Sequence, residues 1–186
     1  ELVDAGKVRN IGVSNETSYG VSQFSALAKS MGLPKMVSIQ NAYSLLVRVP
    51  FETDLAETCA PPNFNVGLLA YSPLAGGALS GKYINATPEN CRFNLFPGYM
   101  ERYNKSFAVN AVAEYVKVAE KHGMTPSELA LAWCKSRWFV TSTIIGATSM
   151  PQLKENINAF NMELTPECIE DINKVFGQYR DPSTAN

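Results

Sequence analysis

The sequence predicts an α/β fold built on a parallel sheet. Strand-like and helix-like segments alternate four times along its 186 residues, with two further helices added. The strand candidates are continuous apolar runs, which suits strands buried on both faces. Apolar residues make up 46% of the chain, enough for one sizeable core and no more than one domain. Four such units do not by themselves choose between an open sheet and a closed barrel.

The elements follow in order. Residues 1–7 read as the last turn of a helix stopped by Gly6, so the helix is expected to begin upstream and the chain to be a fragment. Residues 8–13 are the first strand, and Ser14-Asn15-Glu16-Thr17-Ser18 offers caps for the helix that follows. In that helix Phe24, Leu27, Ala28 and Met31 fall on one stripe, expected to be buried. Residues 36–40 form the second strand, 51–59 a short helix, and 66–71 the third strand. The Gly-, Pro- and Asn-rich stretch 73–106 reads as a long irregular loop. A helix over 107–122 presents Val109, Val112, Val116 and Ala119 on one face. Thr125-Pro126-Ser127-Glu128 is a capping box with proline at the first helical position, so a helix runs to about Arg137. Residues 141–145 are the fourth strand and 151–160 a helix. Thr165-Pro166 opens a last helix with Ile169, Ile172 and Phe176 inward, and the tail 181–186 is expected to be loose.

Composition excludes several classes. The formal net charge is −1 and no basic patch suits nucleic acid. Apolar runs such as Val66-Gly67-Leu68-Leu69-Ala70 are far too short to span a bilayer. Cys59, Cys91, Cys134 and Cys168 form no CxxC pair and the chain has one histidine, so no metal site is expected. Reduced thiols suit a soluble intracellular protein.

Ligands of parallel α/β sheets bind at the C-terminal ends of the strands. Here those ends read Ser14-Asn15, Gln40-Asn41, Tyr71-Ser72-Pro73-Leu74 and Gly146-Ala147-Thr148-Ser149. Hydroxyl and amide groups can serve both the donor and the acceptor of a carboxamide, and Tyr71 can stack on a flat ring; a nicotinamide needs both. Taken singly, Ser14 and Asn15 read equally well as helix caps. Gly76-Gly77-Ala78-Leu79-Ser80-Gly81-Lys82, with Arg92 beyond, lets a backbone approach a ligand closely and supplies cations for phosphate, though a flexible turn explains it too. Thr148 and Ser149 precede a helix N-terminus, and Gln152, Glu155 and Asn156 share one helical face able to grip an adenosine or simply face solvent. His122 sits at a helix end, where it complements the helix dipole.

These stretches together resemble the aldo-keto reductase superfamily. The resemblance is carried by Gly6-Lys7-Val8-Arg9-Asn10-Ile11-Gly12-Val13-Ser14-Asn15, Gln40-Asn41-Ala42-Tyr43-Ser44-Leu45-Leu46 and Ala70-Tyr71-Ser72-Pro73-Leu74-Ala75-Gly76-Gly77 with Ser80-Gly81-Lys82-Tyr83. Ile145-Gly146-Ala147-Thr148 through Gln152-Leu153-Lys154-Glu155-Asn156-Ile157 completes it. The text between motifs is similar to the Tas-like branch, with potassium-channel β-subunits nearby. The resemblance implies a parallel (β/α)8 TIM barrel, of which residues 1–186 would be the C-terminal half of a single domain, strands five to eight plus a C-terminal helix.

It implies NADP as cofactor and a small carbonyl compound as substrate, in the cytoplasm or a plastid. Ser14, Asn15 and Gln40 match the residues that hold the nicotinamide carboxamide, and Tyr71 the aromatic position under its ring. Ser72, Pro73, Leu74, Gly76 and Lys82 match the loop over the pyrophosphate, with Arg92 a further phosphate-side position. Gly146, Thr148, Gln152, Glu155 and Asn156 match the adenosine, ribose and phosphate site. Gly146-Ala147 and Gln152 stand where many members have Lys-Ser and Arg, as in the channel subunits. The family's Asp, Tyr, Lys and His tetrad lies on the other half, so no catalytic residue is expected in this chain. The alternative the resemblance offers is a dinucleotide-sensing subunit.

Overall fold

A computed structural model describes residues 1–84 and 91–184. Its centre is a four-stranded parallel sheet of sequential order: β1 (Ile11–Ser14), β2 (Met36–Ala42), β3 (Gly67–Tyr71) and β4 (Val140–Thr143). Each strand pairs with its chain neighbour, so the order never reverses as it does in a doubly wound open sheet. That is the strand order of a barrel of the TIM type. Eight α-helices accompany the described strands: α1 (Ser18–Met31), α2 (Val49–Glu52), α3 (Leu55–Cys59), α4 (Arg92–Leu95), α5 (Ser106–Lys121), α6 (Pro126–Lys135), α7 (Met150–Ala159) and α8 (Pro166–Gln178).

Local chemistry sets most helix starts. Thr125 accepts from the Glu128 N–H at 3.1 Å while the Glu128 carboxylate accepts from the Thr125 N–H at 2.8 Å, a complete capping box for α6. Thr17, Ser149 and Thr165 cap α1, α7 and α8 in the simpler way. Residues 1–7 form turns rather than a regular helix. Their closure is nonetheless helical: Lys7 N–H reaches Leu2 O, Gly6 N–H reaches Val3 O, and Gly6 has φ +69°.

Several expectations are corrected. The first strand starts at Ile11, not residue 8, and the predicted helix 51–59 is two short pieces broken at Thr53-Asp54. The stripe of α1 is turned: Ala28 is buried as expected, but with Val21 and Ser25 beside it, while Phe24, Leu27 and Met31 are exposed. In α5 the buried face turns toward Ala108, Ala111 and Tyr115, leaving Val109 and Val116 half-buried. In α8, Ile172 is buried as expected, with Cys168 and Val175 beside it rather than Ile169 and Phe176. The stretch 73–106 contains two 3-10 turns and α4; its residues 85–90 lie outside those described.

The strands are covered on one face rather than two. Ile39, Leu68 and Ala70 are fully buried against the helices. The register puts Ser14, Gln40 and Leu69 side by side on the other face, where Gly12, Ser14 and Gln40 are exposed. Side chains there are small because neighbours are close: a Cβ on Gly12 would lie 2.3 Å from Ser38 Oγ, and one on Gly67 2.2 Å from Thr141 Oγ1.

The tail is pinned, not loose, through residue 184; residues 185–186 lie outside those described. Asp181 accepts from the Arg48 and Val49 N–H groups at 2.9 and 3.1 Å, and the Ser183 hydroxyl donates to Leu46 O at 3.0 Å. All three bonds end on the loop after β2 or at the first residue of α2. In that loop the buried Arg48 guanidinium pairs with Glu52 through two bonds, 2.9 and 3.0 Å. It donates to Asn173 of α8 and lies 3.8 Å over the Phe176 ring and 4.9 Å from that of Trp133. Tyr43 donates to the same Glu52 oxygen at 2.5 Å, and its ring stacks on Trp133. Burial, with Glu52 beside it, pushes the Tyr43 hydroxyl far above its ordinary pKa, so it remains a donor.

Glu52→Ala would strand the Arg48 charge and the Tyr43 hydroxyl together. Removing one partner of a buried pair typically costs about 3 kcal/mol. Urea unfolding should show a loss of that order; a loss under about 1 kcal/mol would mean the pair contributes no more than a surface bridge.

Candidate functional site

The register brings the first cluster together. Ser14 pairs with Gln40 across β1 and β2, and Ala42 with Tyr71 across β2 and β3, so β1 ends two residues before its neighbours and Asn15 turns off beside the Tyr71 level. The Ser14 hydroxyl donates to Gln40 O at 2.9 Å, and the Asn15 N–H to the same carbonyl at 3.0 Å. The Tyr71 hydroxyl donates to Asn15 Oδ1 at 2.8 Å, so its ring reaches across the end of β2. Asn15 and Ser72 both have positive φ, +53° and +55°. Such backbones turn the chain sharply off the strand, and short polar side chains tolerate them best. Gln40 remains exposed. Two amides, a hydroxyl and an aromatic ring thus share one surface.

The second cluster continues directly from β3. Gly76 and Gly77 have φ of +68° and +97°, which breaks the 3-10 segment Ala75–Ser80 into a kinked turn. Lys82 folds back onto it: a Cβ on Gly77 would meet Lys82 Nζ at 3.2 Å. The same ammonium lies 5.0 Å from the Tyr83 ring, and Phe93, next to Arg92, packs against Tyr83 at 4.4 Å. Lys82 and Arg92, both exposed, therefore stand near one buried aromatic ring.

The third cluster follows β4, which lies next to β3. Each of its polar side chains is already engaged. Gln152 accepts from the Thr148 N–H at 2.9 Å and from its hydroxyl at 3.0 Å. Glu155 accepts from the Thr125 hydroxyl at 2.7 Å. Asn156 is buried and donates to Gly146 O at 3.3 Å. Gln152 and Glu155 stay partly open, whereas Asn156 holds the turn after β4 in place. The shared helical face thus splits into two accessible groups and one structural group.

Sequence reasoning missed a cavity of about 560 Å³ beside the first cluster. Asn15 and Tyr71 line it, with Asn41, Arg102, Asp54 and Thr184 among the polar groups around them. Arg102 comes from the irregular stretch, and Thr184 from a tail expected to be loose, so neither had a periodic pattern to mark it.

His122, Glu167 and Asp171 gather on α5 and α8 with ligand atoms within 4.8 Å of one another. Lys121 bridges both carboxylates at 2.8 and 2.7 Å, and Lys174 adds a bond to Asp171, so the cluster is an ion-pair network joining two helices. The four cysteines are buried and unpaired. No described helix is long and apolar enough to cross a membrane.

The Lys121, His122 and Lys174 bonds hold the Asp171 carboxyl well below the usual carboxylate range. A carboxyl lowered by folding stabilises the fold above its unfolded pKa, about 4, and loses that contribution as pH falls toward its folded value. Asp171→Asn should therefore be less stable than the parent at pH 7. Thermal melts should show the gap narrowing steadily below about pH 4; a gap constant from pH 7 to pH 3 would contradict the network.

The aldo/keto reductase family model matches residues 1–176. The chain is 46% identical over 184 residues to protein Tas of Escherichia coli, covering 98% of this chain and 52% of that protein. It is 39% identical over 186 residues to an aldo-keto reductase of Babesia bovis, covering 97% of this chain and 65% of the relative. It is 32% identical over 181 residues to a putative voltage-gated potassium channel subunit beta of Schizosaccharomyces pombe, covering 94% and 52%. The chain thus spans between about half and two thirds of the length of these relatives.

Proposed function

The chain belongs to the aldo/keto reductase family, and from that premise we propose that it is the cofactor-holding half of an NADP(H)-dependent carbonyl reductase. Its four strands are then strands five to eight of a (β/α)8 barrel, and the exposed sheet face carrying Ser14 and Gln40 looks into the barrel. The sequential strand order supports four consecutive strands of one barrel, and the resemblance of the strand-end residues to the family's cofactor-site motifs supports the second half.

The observation that carries the reading is the gathering of Ser14, Asn15, Gln40 and Tyr71 at the ends of three adjacent strands: Ser14 pairs with Gln40, and Tyr71, two residues further along, bonds to Asn15. Their donor set fits a flat ring bearing a carboxamide: amides to exchange hydrogen bonds with it, and an aromatic face beneath. When bound, the nicotinamide supplies a hydride to the carbonyl carbon. The residues of this chain supply position. Ser14, Asn15 and Gln40 fix the ring's rotation, and Tyr71 is its platform. The backbone of Ser72, Pro73, Leu74 and Gly76, with Lys82 and Arg92, serves the phosphates. Thr148, Gln152 and Glu155 serve the adenosine end, and Asn156 holds the Gly146 turn. No side chain here is assigned as the acid that protonates the carbonyl oxygen; that proton belongs to the other half of the barrel. A second reading, a subunit that senses the dinucleotide without appreciable turnover, is favoured by the relatives named as channel subunits.

Tyr71→Ala should remove stacking worth about 1 kcal/mol and weaken NADPH several-fold. Gln152→Ala should weaken NADPH more than NADH, because the Gln152 amide sits where a 2′-phosphate would approach. Fluorescence titration of the folded chain measures both. Unchanged dissociation constants for both cofactors in both variants would rule out the placement.

A further inference from the structure

The 560 Å³ cavity has the size of a small-molecule site and opens beside Tyr71 and Asn15. Three charged side chains line it: Glu16, Asp54 and Arg102. Glu16 is spent locally, since its carboxylate accepts from the Thr17 N–H at 3.0 Å at the start of α1, where the helix dipole offsets its charge. Asp54 belongs to the turn between α2 and α3. Arg102 is the one cation among the described lining residues. Its Nη2 donates to the hydroxyl of the buried Tyr103 at 2.9 Å, and its guanidinium lies 4.8 Å from that ring. Burial pushes the Tyr103 hydroxyl above its ordinary pKa, so it stays protonated while it accepts this bond. One edge of the guanidinium is therefore fixed to the protein, and among the described residues no carboxylate pairs with the rest.

Resting on the carbonyl-reductase reading above, we propose that Arg102 is a specificity residue that selects carbonyl substrates carrying a carboxylate. A guanidinium held on one edge presents its remaining N–H groups as a planar fork, the shape a carboxylate matches with two bonds. A dianionic phosphate would want a second cation, and no other described lining residue supplies one. The carbonyl end would then lie toward Tyr71 and Asn15, where the nicotinamide is placed, and the neutral amides and hydroxyls of the cavity would accommodate the body of the molecule. Arg102 is itself exposed and makes none of the Arg48 bonds; its replacement removes the bond to the Tyr103 hydroxyl.

The test is a binding comparison on the purified chain, with and without NADP. Two unreactive product-like probes are titrated by ligand-observed NMR, 4-(hydroxymethyl)benzoate and benzyl alcohol. The wild-type chain should bind the carboxylate probe at least about tenfold more tightly, Arg102→Met should erase that difference, and Arg102→Lys should keep part of it, because a point charge remains without the fork. Equal affinities in the wild type, or a preference that survives in Arg102→Met, would overturn the assignment. NADP titrated alone separates the two claims: failure of NADP to bind refutes the cofactor reading, whereas NADP binding without a carboxylate preference refutes only the role of Arg102.

Discussion

The Arg48–Glu52 pair is the constraint on which the site depends. Arg48 is buried between the Phe176 and Trp133 rings, and its backbone and side chain together reach Glu52, Asn173 and Asp181. Those partners come from α2, α8 and the tail, so one guanidinium and its flanking amides tie the end of the chain to its middle. The loop it anchors begins where β2 ends. Tyr115 adds a bond from α5 to Leu45 O, and Ser183 one from the tail to Leu46 O. With that loop immobile, Gln40 and Asn41 are held at a fixed height against Ser14 and Tyr71. A buried charge stays tolerable only while every bond is made, which makes this hub intolerant of partial replacement and keeps the strand ends in register.

Much of the fold was legible because its causes are local. Thr125 and Glu128 announce a helix start in four residues, and the structure makes both of their bonds. Gly6 announces a stop, and its left-handed backbone delivers one. The α1 stripe misled because size and periodicity do not say which side the rest of the protein lies on. Phe24, Leu27 and Met31 are the larger set, yet Val21, Ser25 and Ala28 are the ones covered. The tail misled for a different reason. Asp181 finds its partner 133 positions away, and no window of sequence contains both ends of that bond.

The candidate site divides along the same line. Strand ends can be read from sequence, so Ser14, Asn15, Gln40 and Tyr71 stand out together; the register pairs Ser14 with Gln40, and the Tyr71 bond to Asn15 joins the other two. Helical spacing alone could not tell that Asn156 turns inward to Gly146 while Gln152 and Glu155 stay partly open. Arg102 was invisible for want of any pattern: it lies in a short 3-10 turn, and its importance comes from Tyr103 and from the cavity it meets.

The central claim is that one dinucleotide lies across this chain with its nicotinamide at the β1 to β3 ends and its adenosine at the start of α7. Chemical-shift mapping with each half of the cofactor separately tests it most directly. Nicotinamide mononucleotide should perturb the amides of Ser14, Asn15, Gln40 and Tyr71 and leave residues 148–156 unchanged, while adenosine 2′,5′-bisphosphate should do the reverse. Perturbations at the same residues from both halves, or from neither half at either cluster, would contradict it.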